Sequence, residues 1–263
     1  MPSVVTEKPI KMQQSDLVSI ITPSFNSAHF IEETIASVVQ QTHQNWEMIV
    51  VDDASSDETP KLLQEIQQKE PRVKCHLLKT NAGPAVARNK AIELASGKYL
   101  AFLDADDIWF PFHLQNSIQT IKEKQIPFVF ASYKRSNENL EFVYSDFVVP
   151  EKVSYTDILK SNSISCLTAF VDVGQLGKET MPLIKKRQDM GLWLKYLKKI
   201  PFAYGIQQPH AIYRIRDNSL SRNKKNLLSY QWEFYRNVEN LNFFQSVYYM
   251  LWWMYLGYKK YKQ

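Results

Sequence analysis

Residues 17–26 read LVSIITPSFN: an apolar, β-branched run from Leu17 to Thr22, stopped by Pro23 and opening into Ser24, Phe25 and Asn26. A short continuous apolar run bounded in this way reads as a strand buried on both faces. The pattern then repeats downstream. Ile31 to Gln41 sets Ile31, Ile35, Val38 and Val39 at helical spacing, and Trp46 to Val51 (WEMIVV) is a second buried strand, ended by Asp52 and Asp53. A helix from Asp57, with Leu62, Leu63 and Ile66 on one face, leads to a third strand at Val73 to Leu78. Ala85 to Ala95 is a third helix, with Gly97 expected as its left-handed cap. Tyr99 to Leu103, a helix over His113 to Lys124, and a fifth strand at Pro127 to Ser132 continue the series. Strands alternating with helices of this length imply right-handed βαβ crossovers. The expected fold is therefore α/β, a mostly parallel central sheet flanked by helices.

In open sheets of this type ligands sit beyond the carboxyl ends of the strands. Those ends carry Pro23-Ser24-Phe25-Asn26, Asp52-Asp53 and Asp104-Ala105-Asp106-Asp107. Neither a G-x-G-x-x-G nor a Walker-type loop occurs anywhere, which disfavours a dinucleotide dehydrogenase or a P-loop enzyme. Carboxylates without a glycine-rich phosphate cradle suggest a divalent ion, Mg²⁺ or Mn²⁺, held by one or two acids plus substrate phosphate oxygens. Read alone, a D-x-D can equally cap the next helix, a role that suits Asp107 best.

The runs PSFN (Pro23 to Asn26), VVDDASSDET (Val50 to Thr59), NAGPAVARN (Asn81 to Asn89), FLDADDIW (Phe102 to Trp109), RQDMGLWLKYL (Arg187 to Leu197) and YRIRDNSLS (Tyr213 to Ser221) resemble, in order and spacing, family-2 glycosyltransferases of the GT-A fold. The similarity is strongest to bacterial enzymes that build capsule, O-antigen or teichuronic-type polysaccharide. It implies that Asp53 accepts a hydrogen bond from the uracil imide while Pro23 and Phe25 pack against the base. Asp104 would then lie near the ribose and the metal, Asp106 would ligate the metal, and Arg88 and Asn89 would face the nucleotide. By its residues alone, Arg88 serves equally as the partner of a cleft carboxylate.

The same resemblance makes Asp189 the general base that takes the proton from the acceptor hydroxyl. In-line attack needs a carboxylate on the acceptor side and a stabilised leaving group opposite. As the first residue of a helix bearing Leu192, Leu194 and Leu197, Asp189 also reads as an N-cap. Relatives often carry Glu where this chain has Gln188, which leaves the base intact and removes a neighbouring charge. Where they carry His, this chain has Arg216, unable to ligate a metal but suited to pairing with a donor diphosphate. Trp193 either floors the acceptor sugar or packs in the core. Trp109, His113 and His210 read as structural.

The chain has 263 residues, 44% hydrophobic and 22% charged, which suits a folded protein and excludes disorder and small disulfide scaffolds. Cys75 and Cys166 stand far apart without a Cys or His cluster, so a reducing cytosol is expected. Residues 1–16 read as a loose lead-in without a secretory signal. The catalytic domain is expected over 17–222, split into a nucleotide half (17–107) and an acceptor half (108–222). Loops between Ser132 and Gln188 would select the sugar.

The net charge of +5 is unevenly placed: from Arg214 onward nine basic residues face three acidic ones. Residues 223–263 form an aromatic, basic tail whose core is Leu241 to Tyr258 (LNFFQSVYYMLWWMYLGY), followed by Lys259, Lys260 and Lys262. Short for a bilayer span and rich in Tyr, Trp and Lys, it reads as C-terminal amphipathic helices at a membrane surface, with packing on the domain or a dimer as the alternative. The basic excess therefore carries no nucleic-acid signal.

Together these readings describe an inverting, metal-dependent transferase. It would move a sugar from a nucleotide sugar, most simply UDP-linked, to a polyprenyl-diphosphate-linked or polysaccharide acceptor at the cytoplasmic face of a bacterial inner membrane. The rival is a noncatalytic nucleotide-sugar-binding or scaffold protein of the same fold, against which Asp53, Asp104, Asp106 and Asp189 count. A sugar nucleotidyltransferase would want a phosphate loop absent here.

Overall fold

A computed structural model describes residues 16–142, 144–216 and 226–261. The apolar runs become strands β1 (Val18–Ser24), β2 (Trp46–Asp52), β3 (Val73–Leu77) and β4 (Tyr99–Phe102), joined by helices α1 (Ile31–Val39), α2 (Thr59–Lys69) and α3 (Pro84–Leu94). All four strands are parallel in the order β3-β2-β1-β4, the expected βαβ arrangement. A two-residue strand β5 (Ile108–Trp109), helix α4 (His113–Lys124) and strand β6 (Phe128–Ser136) follow.

Beyond β4 the sheet changes character. Strands β7 (Tyr144–Phe147) and β8 (Lys152–Val153), helix α5 (Tyr155–Lys160), strand β9 (Phe170–Asp172), helices α6 (Val173–Leu176) and α7 (Gln188–Leu197), and strand β10 (Ala203–Arg214) complete the catalytic portion. β9 runs antiparallel between β4 and β6, while β10 lies parallel to β6 and antiparallel to β5 and β8. The sheet of ten strands is thus parallel from β3 to β4 and mixed beyond.

Gly97 corrects the expected cap. Helix α3 ends at Ala95 in an extended conformation, and Gly97 is not among the positive-φ glycines. A Cβ at Gly97 would stand 2.6 Å from the Leu17 carbonyl oxygen and 2.7 Å from the Ser19 nitrogen. The glycine is needed for close approach of two backbones, and its amide donates to Ser19 Oγ at 2.8 Å.

Two buried clusters sandwich the sheet. One joins α3, α5 and α7 around Phe102, Phe128 and Trp193; the other joins α1 and α4 around Trp46, Trp109 and Phe170. Trp193 is wholly buried, with Phe102 at 5.2 Å and Phe128 at 5.4 Å between ring centroids. It is a core residue and does not floor an acceptor site. Trp109 is buried as expected and donates from Nε1 to the Leu167 carbonyl at 2.8 Å. His113 and His210 meet Nδ1 to Nδ1 at 3.1 Å, and burial lowers both pKa values, that of His210 to about 4, so the pair is neutral.

Asp16, placed in the lead-in, is already anchored, accepting from Lys122 Nζ at 2.7 Å; the rest of the lead-in, residues 1–15, lies outside the described residues. At the other end, α8 (Leu227–Glu233) continues into a π-helical turn, Phe234–Val238, and then α9 (Phe243–Tyr261). Tyr249 and Met250 of α9 pack against the core, and Tyr235 Oη donates to the Leu159 carbonyl at 2.6 Å. The opposite face carries Phe244, Tyr248, Leu251, Tyr255 and Tyr258, spaced by four and three residues and all exposed, Phe244 by 82%. Among the described residues no helix is long and apolar enough to cross a membrane.

Candidate active site

A cleft of about 1160 Å³ opens at the carboxyl ends of the parallel strands. It is lined by eight of the residues singled out from the sequence: Pro23, Phe25 and Asp53 from the first two strand ends, Arg88 from α3, Asp104 and Asp106 beyond β4, Asp189 from α7, and Arg216 after β10. Asn89, expected to face the nucleotide, does not line the cleft: it donates from Nδ2 to the Met181 carbonyl at 2.9 Å and accepts on Oδ1 from Met181 N at 2.7 Å, so it ties α3 to the loop before α7. The chain ends of β1, β2, β4 and β10 meet at one edge of the sheet, and helices α3 and α7 add Arg88 and Asp189 to it.

The side of the cleft beyond β1 and β2 is built by cross-links between the loops that follow them. Asp53 N donates to the Ser24 carbonyl at 2.8 Å, and Asn26, at a φ of 47°, accepts on Oδ1 from Ser56 N at 2.9 Å. Asp52 and Asp57 brace the loop itself: Asp52 accepts from Ser55 N, and Asp57 from Thr59 N and from Ala28 N of the loop after β1. Asp53 differs. Its two carboxylate oxygens accept from Ala82 N and Gly83 N, each at 2.7 Å, which draws the Asn81–Gly83 loop over the cleft. Phe25 stays 48% exposed, a ring offered to the cleft rather than to the core.

The acidic floor is held by arginines. Arg88 Nη2 donates to Asp104 Oδ1 at 2.5 Å, and Arg216 Nη1 lies 3.1 Å from Asp106 Oδ2. Burial disfavours the Arg88 charge, yet the charge and hydrogen bond of Asp104, with the charge of Asp189, raise its pKa overall. Arg88 thus sits in the combined field of Asp104 and Asp189. Burial, and then repulsion from Asp104, raises the pKa of Asp106 against the opposing charge of Arg216.

Asp107 is not a helix cap, because α4 begins after Phe112 with no side-chain cap. Its Oδ1 instead accepts from Arg214 N at 2.8 Å, locking β10 to the acidic turn. Arg214 in turn reaches Glu33 of α1 at 2.6 Å. Thr34 Oγ1 donates to the carbonyls of Ala105 and Asp107, at 3.1 and 2.9 Å, so α1 fixes the same turn from beneath.

Asp189 stands in the first turn of α7, but Arg187 is the N-cap residue and no side chain caps this helix. The N-cap reading is thereby corrected. Asp189 Oδ2 instead accepts from Asn162 Nδ2 at 3.2 Å. Gln188 Nε2 donates to the Ile184 carbonyl at 2.7 Å, bracing the loop before α7. Arg187 itself has a φ of 70° and lies 5.4 Å over the Trp253 ring of α9, so the C-terminal helix touches the segment that carries Asp189. Asn162 and Thr34 carried no sequence signal, since each acts through contacts more than 25 positions away.

Among the described residues no three His, Cys, Asp or Glu side chains are grouped to hold a metal. The donor set that is present, Asp104 and Asp106 with hard oxygens facing one cleft and an Asp106 carboxyl strained by its neighbour's charge, fits a divalent ion completed by substrate phosphates.

The family model for glycosyl transferase family 2 matches residues 19–170. The chain is 40% identical over 244 residues to the putative teichuronic acid biosynthesis glycosyltransferase TuaG of Bacillus subtilis, covering 93% of this chain and 95% of that protein. It is 37% identical over 246 residues to the UDP-Glc:alpha-D-GlcNAc-diphosphoundecaprenol beta-1,3-glucosyltransferase WfgD of Escherichia coli, covering 93% and 94%. Among solved structures, S. aureus TarS 1–349 in complex with UDP-GlcNAc superposes with a TM-score of 0.69 at 19% identity, over 91% of this chain and 71% of that one. The mannosyltransferase PcManGT from Pyrobaculum calidifontis, in complex with GDP-Man and Mn²⁺, gives 0.61 at 18% identity, over 86% and 64%. These likenesses show the GT-A fold.

Proposed function

The chain belongs to glycosyl transferase family 2, and from that premise we propose an inverting transfer of a sugar from a UDP-sugar to a polyprenyl-diphosphate-linked acceptor in bacterial surface polysaccharide synthesis. The observation that carries this reading is the meeting of Asp189 and the Asp104–Asp106 pair in one cleft, with Arg88 paired to Asp104 and Arg216 to Asp106. Asp189 takes the proton from the acceptor hydroxyl as its oxygen attacks the anomeric carbon. The bond to the donor diphosphate breaks on the far side, its electron pair staying on the β-phosphate oxygen. Phe25, Pro23 and Asp53 hold the nucleoside. Arg88 and Arg216 exchange their carboxylate partners for donor phosphate oxygens. A Mn²⁺ or Mg²⁺ ion held by Asp104 and Asp106 would neutralise charge on the leaving diphosphate.

The exposed aromatic stripe of α9 and the basic C-terminal residues suit a peripheral position on the anionic cytoplasmic face of the membrane. Lipid-linked acceptors present their sugars just above such a surface, and the WfgD relative is named for a diphosphoundecaprenol substrate. The test is a thermal-shift panel of nucleotide sugars with and without Mn²⁺ or Mg²⁺, followed by transfer to a short-chain lipid-linked acceptor. A UDP-sugar that stabilises the protein only with metal, and is then transferred with inversion, is the expected result. Retention of configuration, or no transfer from any donor that binds, would refute the reading.

A further inference from the structure

A second groove, of about 610 Å³, lies between α5 and α9, and none of the roles described so far uses it. Three lysines, Lys152, Lys160 and Lys259, line it together with Ser161, Asn162 and Ser163. Among the described residues none of the three ammonium groups has a carboxylate within ion-pair distance. Two are positioned by rings instead: Lys160 Nζ stands 5.4 Å over Trp252 of α9, and Lys152 Nζ 4.6 Å over Phe202. The one acid in the lining, Asp157, is occupied within α5, its Oδ2 accepting from Ser154 N at 3.0 Å and from Ser154 Oγ at 2.6 Å. The groove therefore carries a net positive charge, backed by side-chain hydroxyl and amide donors, which is the chemistry of a phosphate site.

Its position gives that chemistry a purpose. Asn162 lines this groove and also donates to Asp189 Oδ2 at 3.2 Å, so one hydrogen bond joins the lysines to the cleft of transfer. Lys160 is two residues from Asn162, so their Cα atoms are at most about 7 Å apart and the groove adjoins the Asp189 side of the cleft. On its other side the groove is walled by α9, through Leu256 and Lys259, the helix whose exposed face bears the aromatic stripe.

We propose that the α5–α9 groove binds the diphosphate of the lipid-linked acceptor, placing the adjoining sugar at Asp189 while the lipid leaves along α9. This rests on the lipid-linked reading of the acceptor given above, and it assigns the groove to the substrate's diphosphate rather than to bulk anionic headgroups.

The test uses the full-length protein with farnesyl diphosphate as the probe, farnesol as its uncharged control and inorganic diphosphate as the headgroup-free control. Binding is followed by titration, with phosphatidylglycerol vesicles in a separate sedimentation assay. Lys160→Gln should weaken farnesyl diphosphate binding about fivefold, and Lys152→Gln with Lys160→Gln about 25-fold, taking each lysine as one phosphate-facing charge. Farnesol binding should not change, inorganic diphosphate should bind more weakly than farnesyl diphosphate, and Lys160→Arg should restore binding, which separates lost charge from misfolding. Vesicle binding by the double variant should stay within about twofold of wild type, because the stripe and terminal lysines remain. Equal farnesyl diphosphate affinity in wild type and double variant would overturn the proposal. So would loss of vesicle binding with probe affinity retained, since the lysines would then serve headgroups. If the wild type binds the probe through these lysines but transfers no sugar to a lipid-linked acceptor, the transfer reading fails and the subsite stands.

Discussion

Replacing Asp189 by Asn separates the chemistry of this cleft from its architecture. The side chain keeps its shape, and the amide oxygen can still accept from Asn162 Nδ2, now 3.2 Å from Asp189 Oδ2. No capping bond is lost, because none exists at this helix start. The structural cost is limited to a negative charge removed from the first turn of α7, about 0.3–1 kcal/mol. For a chain of this size that lowers Tm by no more than about 4 °C. Donor binding, built from Asp53, Phe25 and the arginine-held floor, should stay within about threefold of wild type. Transfer is another matter: a positioned general base contributes about 10²–10⁴-fold, or about 3–5 kcal/mol of barrier. The assay pairs initial rates of sugar transfer with thermal-shift titration of the donor on the same preparation. Slow transfer with intact donor binding is the expected result. Transfer at the wild-type rate would remove Asp189 from the mechanism, and equal loss of both activities would make it a structural residue.

Asp106→Ala should abolish the metal-dependent part of donor stabilisation while leaving the metal-independent part, measured by thermal shift with and without Mn²⁺. Gly191→Ala would set a Cβ 2.5 Å from Pro182 Cγ, overpacking α7 against the loop that leads to Asp189; a loss of about 1–3 kcal/mol in denaturant unfolding is expected. Glu47 is pulled down to about 2, since hydrogen bonds from Lys74, Ser19 and Ser96 outweigh the opposing effect of burial. Its folded pKa is depressed, so the stability it contributes is fully present above about pH 4.5 and is lost as pH falls toward 2; Glu47→Gln should flatten that part of the stability profile. Phe244→Ala with Tyr248→Ala should reduce sedimentation with phosphatidylglycerol vesicles and leave transfer to a water-soluble acceptor unchanged.

The donor half was legible in the sequence because its strands are short apolar runs and its crossovers are local. Its cleft carboxylates follow strand ends, so finding the strands finds the cleft: Asp53 follows β2 and Asp104 follows β4. The acceptor half hid its strands for physical reasons. β9 is three residues long, and β10 contains Pro209, accommodated where its register against β6 shifts. Their identity depends on pairing partners far away in the chain, which no local pattern records. Gly97 was misread for a related reason. A glycine after a helix resembles a cap, and only the approach of Leu17 and Ser19 reveals its use. Of the two roles read for Arg88, the structure shows the pairing with a cleft carboxylate, Asp104, at the wall of the cleft.

The insertion of β9 between β4 and β6 has a consequence for how the chain assembles. β1 to β4 can form from neighbouring βαβ units, but the two halves become one sheet only when a strand from some 70 residues beyond β4 slides between two waiting edges. Contacts of such long range form late and slowly. Until then β4 and β6 present unpaired backbone to any other chain, a template for edge-to-edge association. The region matched by the family model ends at Phe170, the first residue of β9. A polypeptide cut there would keep the donor-side acids yet lack the wedge that closes the sheet, and is expected to aggregate rather than fold as a smaller enzyme.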